Sequence, residues 1–309
     1  MKEGIKKRMS DLIKNNEILI NWNVSNEPIK QVYCSAWQIG NKYILKSGEN
    51  LNWLKNNLSV IRALSEYNIP VATIVKTIDG LDYVLKDNTY YFLSEKIRGD
   101  HISDIYTDNY RTISYLIGQV IGRLHISFRE CQEKIDCKDN NFYDEMIGWV
   151  SQTLRNKEVN TVPKDILSEC ISQLKDIYPK LPRQLIHRDI HLNNMMFEEN
   201  ILTGYIDFDL SQIDARIFDL CYMVLSFLID NINNNDKTKK WVDIVDNVVK
   251  GYSSIIQLTV DEKKAMPIMM IAIEVLFVAY FTNENNKVCA DGASEMLLWL
   301  WANKERIVL

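Results

Sequence analysis

The chain has 309 residues, 47% hydrophobic and 25% charged. That supports a sizeable core in one large domain or two lobes, and it excludes low-complexity and collagen-like chains. A formal net charge of −5 excludes bulk attraction to nucleic acid. Residues 1–14 are charged and hold no apolar h-region, so no secretory signal is expected. The longest apolar stretch, 268–281, carries Glu274 and is too short to span a bilayer, so a buried helix and no membrane partner are expected. The six cysteines form no C-x-x-C pair, so neither a zinc site nor a disulfide framework is expected, and a reduced cytoplasmic compartment fits.

In chain order, 31–39 and 42–46 are β-rich and separated by Gly40-Asn41, a hairpin signal. Leu51, Leu54, Leu58, Ile61 and Leu64 then form a helical stripe. Strands are expected over 71–78, 82–85 and 90–93, split by Asp79-Gly80 and Asp87-Asn88. From Tyr110 the period becomes helical, with Ile113, Leu116, Ile117, Val120, Ile121, Leu124 and Phe128 on one face. Further helices are expected over 141–154 and 164–177. A short, turn-rich β segment covers 185–208, and helices follow over 220–229, 240–256, 261–281 and 294–301. This ordering predicts an α+β chain with an antiparallel sheet and one helix first, and a mostly helical region after it. The expected boundary gives 1–95 as the first lobe and 96–309 as the second, with a hinge near 94–99. Charge is uneven: 1–99 carry +4, 100–186 carry −2 and 187–309 carry −7. Ligands of opposite sign can meet between such segments, although solvated faces give the same pattern.

The chemistry concentrates in 185–219. His187, Asp189, His191 and Asn194 fall on one loop, and Asp207 and Asp209 follow an apolar strand. Between them, 195–197 and 202–206 form a hairpin about Glu198-Glu199-Asn200, which should bring Asn194 and Asp207 together. A carboxylate and an amide oxygen at the ends of a hairpin suit Mg²⁺ that bridges phosphate oxygens. Asp189, five residues before Asn194, is placed to orient a hydroxyl and take its proton.

These residues resemble a known superfamily. The loop H187-R-D-I-H-L-N-N194 matches the kinase pattern H-x-D-x-x-x-x-N, and I206-D-F-D209 stands where protein kinases carry D-F-G. With His191, the loop is similar to that of the aminoglycoside phosphotransferase and choline kinase-like family. Residues 121–125, 216–220, Lys46 in K-Y-I-L-K and the F-L-S-E-K-I-R-G run of 92–99 resemble that family's further segments. The resemblance implies a protein-kinase-like two-lobe fold and a phosphotransferase that uses ATP (or GTP) and Mg²⁺. It implies that Asp189 is the catalytic base, Asn194 and Asp207 the Mg²⁺ ligands, and Lys46 the contact to the α and β phosphates. It places Ser35 in the nucleotide loop and the backbone near Glu95 and Ile97 against the base. His187, His191 and Asp219 would brace the catalytic loop. The expected partner is a small-molecule hydroxyl acceptor, such as a cationic amino alcohol or aminoglycoside; no oligomeric state is implied.

Two departures stand out. The loop at 33–36 has no glycine, and the face of the following helix that should offer a Glu to Lys46 carries Asn57 and Ser59. They leave a catalytically impaired nucleotide-binding module as an alternative. A kinase acting on protein is a second alternative, against which stand His191 in place of a lysine and the short run between Asp209 and Asp219. Taken alone, Asp214 reads as loop charge in preference to an acid that supports the site, and His125 as a packing histidine.

Overall fold

A computed structural model describes residues 17–229 and 231–307. Residues 1–14, read above for a secretory signal, lie outside the described residues. In chain order the main elements are β1 (Ile29–Tyr33), β2 (Ala36–Ile39), β3 (Tyr43–Gly48), α1 (Leu51–Glu66), β4 (Ile74–Val75), β5 (Val84–Lys86) and β6 (Thr89–Glu95). There follow α2 (Tyr110–Cys131), α3 (Phe142–Glu145), α4 (Ser151–Asn156), α5 (Lys164–Ile177), β7 (Arg183–Ile186), β8 (Met195–Glu198), β9 (Ile201–Tyr205) and β10 (Gln212–Ala215). The chain ends with α6 (Ile217–Ser226), α7 (Asn235–Ser253), α8 (Val260–Asn283) and α9 (Lys287–Asn303). These elements form two compact units. One holds the chain up to Asp100 together with Met195–Leu210; the other holds His101–Asn194 and the chain from Ser211 onward.

In the first unit the strands make one antiparallel sheet in the order β1-β2-β3-β6-β4, with β5 also on β6. The run 31–39 is therefore two strands, turned back at Cys34-Ser35, where Tyr33 pairs with Ala36. Because β side chains alternate, β6 serves both faces. Tyr91 and Leu93 join Trp37, Ile39, Leu45 and the 3₁₀ turn Leu19–Trp22 on one side. Tyr90 and Phe92 meet Leu54 and Leu58 of α1 on the other. Asn50 caps α1, its side chain accepting from the amides of Asn52 and Trp53. The hairpin β8–β9 pairs Met195 with Tyr205 and turns at Glu199 and Asn200, both left-handed (φ +49° and +65°), as a two-residue hairpin turn requires. Phe197 and Asp100 exchange two main-chain hydrogen bonds of 2.9 Å. Gly99 allows this approach: its φ is +89°, and a Cβ there would lie 2.2 Å from the Phe197 carbonyl oxygen.

In the second unit α2 packs on α7 so closely that Gly118 faces the Val248 carbonyl and Gly251 the Tyr115 carbonyl, each 2.0 Å from where a Cβ would stand. Strands β7 and β10 pair antiparallel, Ile186 opposite Gln212, and so bracket the loop 187–194. Arg216, just after β10, forks onto Glu262 at 2.7 and 2.8 Å. Glu262 also completes a capping box with Thr259 at the start of α8. Helix α8 has 24 residues, so the apolar stretch sits in a helix with the length and composition to cross a membrane. Two thirds of its apolar window is instead buried inside the structure.

Candidate active site

The loop after β7 is built around one buried carboxylate. Asp219 sits in the first turn of α6 with no exposed surface. It accepts the main-chain N–H of His187 (Oδ2, 2.8 Å) and of Arg188 (Oδ1, 2.9 Å). Its Oδ2 also lies 3.0 Å from Nε2 of His125, whose Nδ1 is 2.8 Å from the Tyr252 hydroxyl. His125 thus lies within hydrogen-bond reach of both.

Arg188 takes a left-handed φ of +71°, rare for a residue with a long side chain. Its surroundings hold it there. The guanidinium donates to Glu145 at 2.6 Å and to Asp214 at 3.3 Å, and it lies over the Phe218 ring at 4.1 Å. Asp214 is fully buried and also accepts from Asn140 (2.8 Å) and from the Tyr178 hydroxyl (2.6 Å). The reading of Asp214 as loop charge is therefore corrected: it is a buried hub, because four polar side chains converge on it.

This twist presents Asp189 with its carboxylate 28% exposed. Its Oδ1 accepts from the Tyr222 hydroxyl at 2.5 Å and its Oδ2 from Asn194 Nδ2 at 3.3 Å. The same Nδ2 donates to the Asp189 carbonyl at 2.8 Å. Burial, reinforced by the Asp189 charge, pushes the Tyr222 phenol pKa well above its usual value, so it stays a donor. His191 accepts the Asn193 amide at Nδ1 (3.2 Å), and its Nε2 stands 3.9 Å from Asp189. His187 is fully buried, with its ring inside the fold and its backbone on Asp219. Aromatic rings continue from Tyr222 to Phe277 (5.8 Å) and on to Phe281 (5.7 Å). On the same α8, Glu274 is buried, and burial lifts its pKa to about 8. Sequence reasoning missed Tyr222. Its place three residues after Asp219, on one face of α6, was the available signal.

In the first unit, Lys46 on β3 reaches Asp207, Nζ to Oδ1 2.9 Å, with side chains 23% and 34% exposed. Asp207 is left-handed, φ +70°. Helix α1 holds the segment after it. Asn57, 1% exposed, accepts the Phe208 amide at Oδ1 (3.1 Å). Asn56 Nδ2 donates to the carbonyls of Phe208 (3.3 Å) and Asp209 (3.2 Å). Ser35 lies in the β1–β2 turn, where its carbonyl accepts the Ser47 amide at 2.9 Å. Glu95 ends β6 exposed, and its amide donates to Thr73; Ile97 packs over Gly204 of β9.

An antiparallel sheet with one helix, followed by a helical unit carrying an H-x-D-x-x-x-x-N loop, defines a kinase-like α+β fold. The chain belongs to the phosphotransferase enzyme family (APH), whose model matches residues 32–240. Among solved structures, it is similar to an amicoumacin kinase (hAmiN) in complex with AMP-PNP, Ca²⁺ and Ami, at TM-score 0.71 and 18% identity, covering 100% of this chain and 98% of that one. It is also similar to a microcompartment-associated aminopropanol kinase, at TM-score 0.69 and 15% identity, covering 96% and 98%. Among curated proteins, it is 22% identical over 157 residues to a homoserine kinase of Polaromonas naphthalenivorans (strain CJ2), covering 50% of this chain and 48% of that protein. The chain thus spans about half the length of the curated relatives it matches.

Proposed function

We propose that the protein transfers the γ-phosphoryl group of ATP to a hydroxyl of a small amino alcohol, with Mg²⁺. The observation that carries this reading is Asp189: a part-exposed carboxylate oriented by Tyr222 and Asn194 on a loop anchored to a buried acid. Asp189 takes the acceptor's hydroxyl proton as the acceptor oxygen bonds to phosphorus. The bond from that phosphorus to the β-phosphate oxygen breaks, and ADP leaves with the electron pair. Lys46 binds phosphate oxygens.

The donor set fits Mg²⁺, which takes one or two protein oxygens and completes its shell with phosphate and water. Asp207 offers a part-exposed carboxylate, and Asn194 offers its amide oxygen because its Nδ2 is committed to Asp189. When bound, the ion would neutralise phosphate charge. The amino-alcohol acceptor rests on the acidic 187–309 segment. It rests also on the acceptors that two similar proteins are named for, homoserine and aminopropanol.

An ADP-release screen over homoserine, aminopropanol, ethanolamine, choline, aminoglycosides and sugars tests the reading. Amino alcohols should give the fastest turnover, and Asp189→Asn should lose about 10²–10⁴-fold in kcat while still binding Mg·ATP. Undiminished turnover in that variant removes the base assignment, and silence with every acceptor removes the reading.

A further inference from the structure

Helix α1 buries Leu54, Leu58, Ile61 and Leu64, and in the middle of that apolar face stands Asn57. An amide in such a position is costly unless it is hydrogen-bonded. Asn57 spends its oxygen on one atom, the main-chain N–H of Phe208. The neighbouring Asn56 binds the next two carbonyls, of Phe208 and Asp209. The peptide captured by Asn57 is the one whose plane is set by the ψ of Asp207. Asp207 holds a left-handed backbone, and its carboxylate meets Lys46. Two uncharged amides of α1 hold the segment and add no charge to it.

We infer that Asn57, assisted by Asn56, is a positioning residue that locks the Asp207-Phe208 peptide so that the Asp207 carboxylate is preset for metal and nucleotide. The inference rests on the proposed Mg²⁺-dependent chemistry for its function, but its structural half can be read without metal.

Two measurements on the full chain test it. The first is hydrogen exchange of peptides covering 205–211, without metal or nucleotide. Asn57→Ala should exchange faster there than wild type, and Asn57→Asp, which keeps an acceptor oxygen, should restore protection. The second is AMP-PNP binding by calorimetry across a Mg²⁺ titration. Asn57→Ala should raise the Mg²⁺ concentration for half-maximal binding about tenfold, the cost of losing one buried hydrogen bond. Asn57→Asp should return it to within about threefold of wild type, and binding without Mg²⁺ should not change. A general loss of stability would lower the bound fraction without moving the Mg²⁺ midpoint.

If Asn57→Ala does not fold, Asn56→Ala replaces it, with faster exchange and a smaller shift in the same direction expected. Unchanged exchange at 205–211, or an unmoved Mg²⁺ midpoint, overturns the inference. A wild type that binds no Mg·AMP-PNP overturns the functional reading instead, while exchange still decides the clamp.

Discussion

The two acids assigned to the reaction are held in opposite ways. Asp189 belongs to a loop whose backbone hangs on Asp219, a carboxylate with no exposed surface, and whose Arg188 is clasped by Glu145 and Asp214. Asp207 belongs to a segment held by side-chain amides, and its ion pair with Lys46 is part-exposed. Buried charged networks tie a site's geometry to the stability of the fold, because removing one member strands the others. Amide clamps fix conformation without committing charge, so under the proposed function the Lys46–Asp207 pair would exchange partners when nucleotide and metal bind. The Asp189 loop is thus tied to buried charge, whereas the Asp207 segment is held by neutral amides.

The most damaging change should strike the buried side. Asp219→Ala leaves the amides of His187 and Arg188 without their acceptor, and deprives His125 of its contact. We expect a loss of about 3–5 kcal/mol in urea unfolding. Asp219→Asn keeps one acceptor and should lose about 1–2 kcal/mol. An Asp219→Ala protein as stable as wild type would refute the contrast at its stronger pole.

Glu274 lies in the same unit as Asp219. It is also buried, but burial drives it toward its neutral form, with a pKa of about 8 against an ordinary 4.5. Between those values the folded chain keeps a proton that the unfolded chain has lost. The associated stability is fully present below about pH 4.5 and is lost as pH rises through about 8. Glu274→Gln removes the titration. Wild type and variant should have similar Tm near pH 5. By pH 8–9 the variant should be more stable, by an amount on the order of a few kcal/mol. Parallel Tm curves from pH 5 to 9 would show that Glu274 does not titrate there.

Much of this was legible in the sequence because local pattern and final environment agree. The stripe of α1, the turn at Glu199-Asn200 and the loop from His187 to Asn194 all follow from spacing and turn chemistry. Other features depend on partners far along the chain. The 3₁₀ turn Leu19–Trp22 is ordered by the sheet it covers, where the Trp22 indole donates to the Val75 carbonyl. The stretch 71–78 keeps only Ile74–Val75 as strand. Helices α7 and α9 begin earlier than their apolar periodicity because their first turns face solvent; the signal there was the cap, Asn234 and Asn286. Asparagines thus cap α1, α3, α7 and α9 and clamp the Asp207 segment. Nothing in the local sequence marks Asp214 as buried, since three of its four partners, Asn140, Tyr178 and Arg188, lie far from it along the chain.

The smallest stability effect is expected at the exposed side. Lys46→Met keeps the aliphatic stem against the sheet and removes only the ammonium. The pair with Asp207 is 2.9 Å long, but its side chains are 23% and 34% exposed, and solvent screening leaves such pairs about 0–1 kcal/mol. Urea unfolding of Lys46→Met should therefore match wild type within about 1 kcal/mol. AMP-PNP affinity should nevertheless fall, because a charged contact to phosphate oxygens is lost. A stability loss as large as that of Asp219→Ala would mean that Lys46 and Asp207 are structural partners first, and that both sides of the chemistry are built into the core alike. Unchanged stability with weakened nucleotide binding would place the Lys46–Asp207 pair where its exposure and its amide-clamped backbone put it: held in shape by α1, with its charge kept for a ligand.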